Sequence, residues 1–166
     1  YLYPFYQHDC EVGNWNKYEA RMLLEELFAR LNEVNTGDTL RNLMLSGQDE
    51  SGRDQTNEIT YLIFEAYANT RGAEPHLNVR FHSNTPKKLY EAVAQLLESG
   101  SGQPTIYFDE AILPAMEKAG IAHADACGYA NDGCTETVID GKSAIVFWQY
   151  EMVKTVELTL FNGKEN

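Results

Sequence analysis

Apolar residues recur at i, i+3, i+4 and i+7 in three stretches of this chain. The first holds Ala20, Leu23, Leu24, Leu27, Phe28 and Leu31. The second holds Ile59, Leu62, Ile63, Ala66 and Tyr67, and the third Leu89, Ala92, Val93, Leu96 and Leu97. Each predicts a helix with one buried stripe. The first opens on Asn16-Lys17-Tyr18-Glu19, a capping box in which the Asn16 side chain accepts from the amide three residues on while Glu19 reaches back. Gly37 lies past its expected end. Thr56 is placed to cap the second helix, which stops at Gly72. Thr85-Pro86 puts a capping residue before proline at the first helical position of the third, and Gly100 and Gly102 end it.

Between the helices lie short apolar runs at 40–45, 76–81 and 104–108 that read as strands. Asp109 is placed to cap a further helix carrying Ile112 and Met116 and stopped by Gly120. A short helix from about His123 leads into a Gly-rich loop at 128–143. A last helix carries Ile145, Gln149, Met152, Val153, Val156 and Leu160. Strand alternating with helix is the rhythm of parallel βα units, an α/β fold. Three strands close no barrel by themselves. The second strand alternates Leu77, Val79 and Phe81 with Asn78, Arg80 and His82. The polar set fits either the solvated face of an antiparallel edge strand or a barrel interior lined with polar groups.

Composition narrows the partners. Lys and Arg number 13 against 25 Asp and Glu, a net charge of −12. A surface that negative repels phosphate backbones and anionic lipid, so neither nucleic acid nor membrane is an expected partner. The three cysteines, Cys10, Cys127 and Cys134, make no disulfide framework, which points to a reducing, cytoplasmic setting. The opening Tyr1-Leu2-Tyr3-Pro4 reads as the middle of something, so the chain is expected to be cut from a longer protein.

The loop 128–143 holds the richest chemistry. Gly133 precedes Cys134 and permits a sharp backbone bend. Glu136 lies two residues beyond, so in extended backbone the thiol and the carboxyl project to one side. Three uses of that pair are open. Thiolate nucleophilic catalysis wants a cationic neighbour, and the neighbours here, Asp132 and Glu136, are acidic. A metal site could draw on His123, Cys127 and Cys134 as His-x3-Cys-x6-Cys, with no fourth ligand in sight. Hydrogen-atom abstraction by sulfur, with the carboxylate moving protons, suits a protonated thiol beside a base. The plainest reading makes Cys134 a small buried residue and Glu136 a surface charge.

Gly133-Cys134-Thr135-Glu136, with Gly141-Lys142-Ser143 behind it, resembles the cysteine loop of the glycyl radical enzymes, the pyruvate formate-lyase-like superfamily. In the eliminating branch the motif is Gly-Cys-Val-Glu-Pro. The resemblance extends, in order, through Tyr1-Leu2-Tyr3-Pro4-Phe5-Tyr6, the helix with Glu19 and Ala20, and Asp54-x-Thr56-Asn57-Glu58. It continues through Val79-Arg80-Phe81-His82-Ser83-Asn84-Thr85-Pro86 and Asp109-Glu110-x-Ile112-x-Pro114-Ala115.

That resemblance implies a fold, of which 1–166 would be one partial domain: a ten-stranded βα barrel of two half-barrels, with the cysteine on a loop threading the lumen. It also implies a radical dehydratase or lyase cleaving C–O, C–N or C–C bonds in a small polar metabolite, with a decarboxylase or a non-catalytic scaffold as alternatives. Cys134 would carry a thiyl radical and Glu136 would take a proton. Arg80 and His82 would lie near the lumen as secondary substrate-binding candidates. The glycyl radical, installed by a radical SAM activating enzyme, belongs to a C-terminal Arg-Val-x-Gly-Tyr motif that these 166 residues lack, so this piece alone would be inactive. The full-length protein is expected to be a homodimer binding no metal. Thr135 and Thr137 depart from the eliminase pattern, as does Phe108 where an Asn is expected before Asp109. Pyruvate formate-lyase-like acyl transfer is disfavoured, because it uses two adjacent cysteines and Gly133 stands beside Cys134.

Overall fold

The computed structural model describes residues 1–34, 41–144 and 151–164. In chain order its elements are α1 (Leu2–Glu11), α2 (Lys17–Glu33), β1 (Asn42–Ser46), α3 (Glu58–Thr70), β2 (His76–Phe81) and α4 (Lys87–Glu98). There follow β3 (Thr105–Phe108), α5 (Asp109–Lys118), α6 (His123–Cys127), β4 (Tyr129–Asp132), β5 (Glu136–Ile139) and α7 (Met152–Leu160). β1, β2 and β3 form a parallel sheet in that spatial order, with Leu45 opposite Val79 and Arg80 opposite Tyr107. Parallel neighbours need a long crossover, which α3 and α4 supply.

Period-two alternation divides the sheet into two working faces. Leu45, Leu77, Val79 and Phe81 pack on Leu24 and Phe28 of α2, Leu62 and Ile63 of α3, and Leu89 and Val93 of α4. Phe28, Leu62 and Leu77 are wholly enclosed, each contributing roughly 1.5–3 kcal/mol by leaving water. On the other face Tyr107 joins Leu113, Met116, Ala126, Cys127 and Tyr129, with Met44 and Ile139 at the margin. β2 is therefore the middle strand, not an antiparallel edge. Its polar residues Asn78 and Arg80 are buried, 0% and 4% exposed, as is His82 just past its end at 2%, while His76 at its start is half-buried.

The capping box forms as read, with Asn16 Oδ1 accepting from Tyr18 N and Glu19 N and Glu19 Oε2 accepting from Asn16 N. Other boundaries move. Asn57, not Thr56, is the N-cap of α3, because the Thr56 hydroxyl is bonded to Asp54 and Ser46. Pro86 is the N-cap of α4, and Thr85 Oγ1 instead accepts from His82 N at 2.8 Å. Asp109 is the first residue of α5 and makes no cap there; Phe108 holds that position. The Gly-rich stretch is an antiparallel hairpin, β4 with β5, whose short polar strands carry no apolar alternation to announce them. α1, with Pro4 in its first turn where proline is tolerated, is a further element that the apolar stripes left unmarked. The expected starts of the first strand at Leu40 and of the last helix at Ile145, and the stop at Gly37, lie outside the described residues.

Candidate active site

The β4–β5 hairpin lies across the polar face of the sheet. Pairing runs from Tyr129↔Ile139 to Asp132↔Glu136, which leaves Gly133-Cys134-Thr135 as the turn. Tyr129 and Asn131 face inward and are buried, so the hairpin is seated on the sheet by alternate side chains. Its two ends are held by different means.

At the base, Arg80 of β2 makes four hydrogen bonds. Nε and Nη2 each reach an Asp109 carboxylate oxygen at 2.9 Å. Nη1 donates to the carbonyls of Cys127 at 2.8 Å and Tyr129 at 3.2 Å. The guanidinium also lies 4.0 Å from the centroid of the Tyr129 ring, and that phenol donates to Asp109 Oδ1 at 2.9 Å. Burial pushes the Tyr129 hydroxyl well above its ordinary range, opposed by the Arg80 charge and reinforced by Asp109. Gln48 N completes the carboxylate's shell at 3.2 Å. A buried charge pair persists only when its remaining donors and acceptors are met in this way.

At the tip, Asn42 Nδ2 donates to the carbonyl of Gly133 at 2.9 Å. Gly133 takes φ +56°, the left-handed region glycine adopts freely. The bend folds the Glu136 carboxylate back over the turn, where Oε2 accepts from Cys134 N at 2.7 Å and Thr135 N at 3.0 Å. Its own amide and those of Thr135 and Cys134 hold the Glu136 carboxyl below its usual range. Cys134 itself is exposed on the turn. The structure therefore folds the Glu136 carboxylate, from the first residue of β5, back onto the turn that holds Cys134, and Cys134 is no buried packing residue.

The other candidates are placed differently. The donors of Arg80 are directed to Asp109 and the hairpin base. His82 Nε2 lies 3.0 Å from Asp54 Oδ1, and its Nδ1 accepts from Asn84 N at 3.3 Å, so both ring nitrogens are engaged within the fold. His123 pairs with Glu117 through Nδ1 at 2.5 Å and approaches Cys127 Sγ at 3.5 Å through Nε2. Burial pushes the Cys127 thiol up. Among the described residues no group of three or more His, Cys, Asp or Glu is placed to hold a metal ion, so the His-x3-Cys-x6-Cys spacing closes into no site. Asn42, Asp109 and Tyr129 were not readable as site-builders, because their partners lie tens of residues away.

All 166 residues match the pyruvate formate lyase-like family. The chain belongs to that family. It is 32% identical over 177 residues to trans-4-hydroxy-L-proline dehydratase from Clostridioides difficile, covering 98% of this chain and 22% of that protein. It is 30% identical over 184 residues to isethionate sulfite-lyase from Nitratidesulfovibrio vulgaris, covering 99% of this chain and 22% of the relative. The solved structure of hydroxyproline dehydratase from Clostridioides difficile, with trans-4-hydroxy-L-proline bound, superimposes with a TM-score of 0.80 at 32% identity, over 98% of this chain and 22% of that one. The chain thus spans about a fifth of the length of these pyruvate formate lyase-like relatives. Its α/β architecture is part of the glycyl radical enzyme barrel fold.

Proposed function

We propose that this chain is the part of a glycyl radical dehydratase or lyase that carries its hydrogen-relaying cysteine, Cys134, and its base, Glu136. One observation supports the reading above the rest. A single hairpin tip presents an exposed cysteine and a carboxylate whose acidity is raised by its own amide and by those of Thr135 and Cys134, the last at 2.7 Å. A sulfur at a hairpin tip, in no group of three or more His, Cys, Asp or Glu placed to hold a metal ion among the described residues, fits the family's radical chemistry. The glycyl radical, installed by a radical SAM activating enzyme on a segment outside these 166 residues, supplies the one-electron oxidising power that makes the Cys134 sulfur a thiyl.

The protein's own residues then act in sequence. The Cys134 thiyl takes a hydrogen atom from a substrate carbon bearing a hydroxyl, re-forming S–H and leaving a carbon radical. Glu136 accepts that hydroxyl's proton, and the electrons released expel the leaving group from the neighbouring carbon while C=O forms. The shifted radical takes a hydrogen atom back from Cys134, and Glu136 delivers its proton to the departed group. Atoms and electrons balance, and sulfur and carboxylate return to their starting states. A small molecule with a hydroxyl next to the bond broken is the substrate class this requires. Arg80 and His82, engaged as they are, serve this reading by holding the hairpin and its surroundings rather than by touching substrate.

The test uses the full-length, anaerobically activated protein in D2O. The thiol exchanges its proton with solvent, so reversible transfer through Cys134 replaces the glycyl α-hydrogen with deuterium and collapses its splitting in the EPR spectrum. Cys134→Ala is expected to form the radical without exchange, and to turn over none of a panel of small diols, amino alcohols and hydroxy acids. Exchange or turnover in that variant at the wild-type rate refutes the assignment.

A further inference from the structure

The Asn42 carboxamide does more than touch the turn. Its Oδ1 accepts from Asn131 Nδ2 at 2.9 Å and from Asn78 Nδ2 at 3.1 Å, while its Nδ2 donates to the Gly133 carbonyl at 2.9 Å. One side chain at the start of β1 thus joins β2, β4 and the residue preceding the reactive cysteine. The three amides are polarised in one direction, Asn78 and Asn131 toward Asn42 and Asn42 toward Gly133, and each donor strengthens the next. Asn78 Oδ1 and Asn131 Oδ1 are buried with no donor among the described residues. Asn131 Nδ2 donates to Asn42, and Asn78 Nδ2 donates both to Asn42 and to the His76 carbonyl at 3.0 Å.

We infer that Asn42 is a positioning residue for the radical relay: through the Gly133 carbonyl it sets where Cys134 and Glu136 stand. This rests on the function proposed above. It acts at a distance from the reacting atoms, and a displacement of the turn of about 1 Å is enough to cost on the order of a hundredfold in rate.

The substitution Asn42→Asp preserves shape and reverses one interaction. An ionised carboxylate still accepts from Asn78 and Asn131 but repels the Gly133 oxygen. A protonated carboxyl can donate to it again. The ionisable and charged groups around that position include Arg41 beside it, buried Glu74, whose Oε2 accepts from Arg41 N at 3.0 Å, His76 opposite it on β2, Tyr107 of β3, and Asp132, Cys134 and Glu136 on the hairpin. The acidic ones, with the buried carbonyl, raise the introduced carboxyl's pKa.

The measurement is glycyl α-hydrogen exchange by EPR across pH, in the full-length activated protein, expressed as the ratio of variant to wild type at each pH. Asn42→Asp is expected to be slower by about tenfold or more at neutral pH and to recover several-fold as pH falls. Asn42→Ala, uncharged and smaller, is expected to show the same loss with no recovery, and carries the test if the first variant does not fold. A ratio near one at every pH in either folded variant overturns the inference. Cys134→Ala, run alongside, separates the two claims. If it also exchanges, the relay itself is refuted; if it alone loses exchange, the relay stands and Asn42 has no positioning role.

Discussion

Arg80 and Asp109 meet in a two-pronged contact, Nε to Oδ1 and Nη2 to Oδ2, both at 2.9 Å, with side chains 5% and 0% exposed. The pair ties the middle strand to the start of α5, and the remaining Arg80 donors tie both to the hairpin base. This places the ion pair beneath the segment that ends in Cys134.

Removing one partner strands the other charge in the interior. Asp109→Asn or Arg80→Met is therefore expected to cost about 3–5 kcal/mol, read as a lower denaturant midpoint. Arg80→Lys keeps the charge but loses the fork and the reach to the Cys127 and Tyr129 carbonyls, so it is expected to be destabilising too. A midpoint within experimental error of wild type for Arg80→Lys would show that the fork contributes nothing.

Gly47 supports the same guanidinium from below. It takes φ +92°, and a Cβ there would stand 2.5 Å from Arg80 Nε and 2.6 Å from Cζ. Arg80 is pinned by four hydrogen bonds and cannot yield easily. Gly47→Ala is thus expected to destabilise by the roughly 1–2 kcal/mol of a left-handed alanine plus the displacement of Arg80. Combined with Arg80→Met, much of that second part is expected to vanish in a double-mutant cycle. Full additivity would contradict the contact.

What could be read from sequence divides by distance along the chain. The capping box at Asn16 and the strand His76–Phe81 are signals of a few residues and fold as written, and the three stripes form helices, although Leu23, Leu27 and Leu97 of those stripes stay exposed rather than buried. The motifs around Cys134 and Glu136 were equally local. The seat of the hairpin was not: Asn42 bonds a carbonyl 91 residues away, and Arg80 a carboxylate 29 residues away. No periodicity records such pairs. The polar face of β2 was ambiguous for a related reason, since alternation looks the same whether water or a buried polar lattice lies opposite.

Glu136 predicts a pH dependence of defined sign. Three amides hold its carboxyl below the ordinary value of 4.5, so the ionised form is favoured by the folded turn. Its contribution is fully present above the unfolded value and is lost as pH falls through the lower, folded value. Side-chain NMR of Glu136 is expected to titrate below an ordinary glutamate, with the Cys134 and Thr135 amide resonances moving together with it. Glu136→Gln is expected to abolish those coupled amide shifts and the substrate turnover while leaving the glycyl radical intact. A carboxyl titrating at or above the ordinary value would remove the basis for a base kept ionised by its own turn.

Gly133 separates the geometry of the turn from its stability. A Cβ at this position would lie 2.7 Å from Glu136 Oε2 and 3.3 Å from its Cδ. The obstructed group is the far end of a flexible, exposed side chain, so Gly133→Ala is expected to expel the carboxylate from the Cys134 and Thr135 amides rather than unfold the hairpin. The left-handed backbone adds roughly 1–2 kcal/mol, a modest loss for a sheet and hairpin fixed elsewhere by Arg80 and Asn42. The expected signature is a split one. Thermal stability falls slightly, glycyl α-hydrogen exchange through Cys134 continues, and turnover drops because the base has left its place. Loss of exchange together with turnover would mean that Gly133 orients the sulfur as much as the carboxylate, and equal loss of both with a collapsed melting temperature would mean that the turn is structural alone.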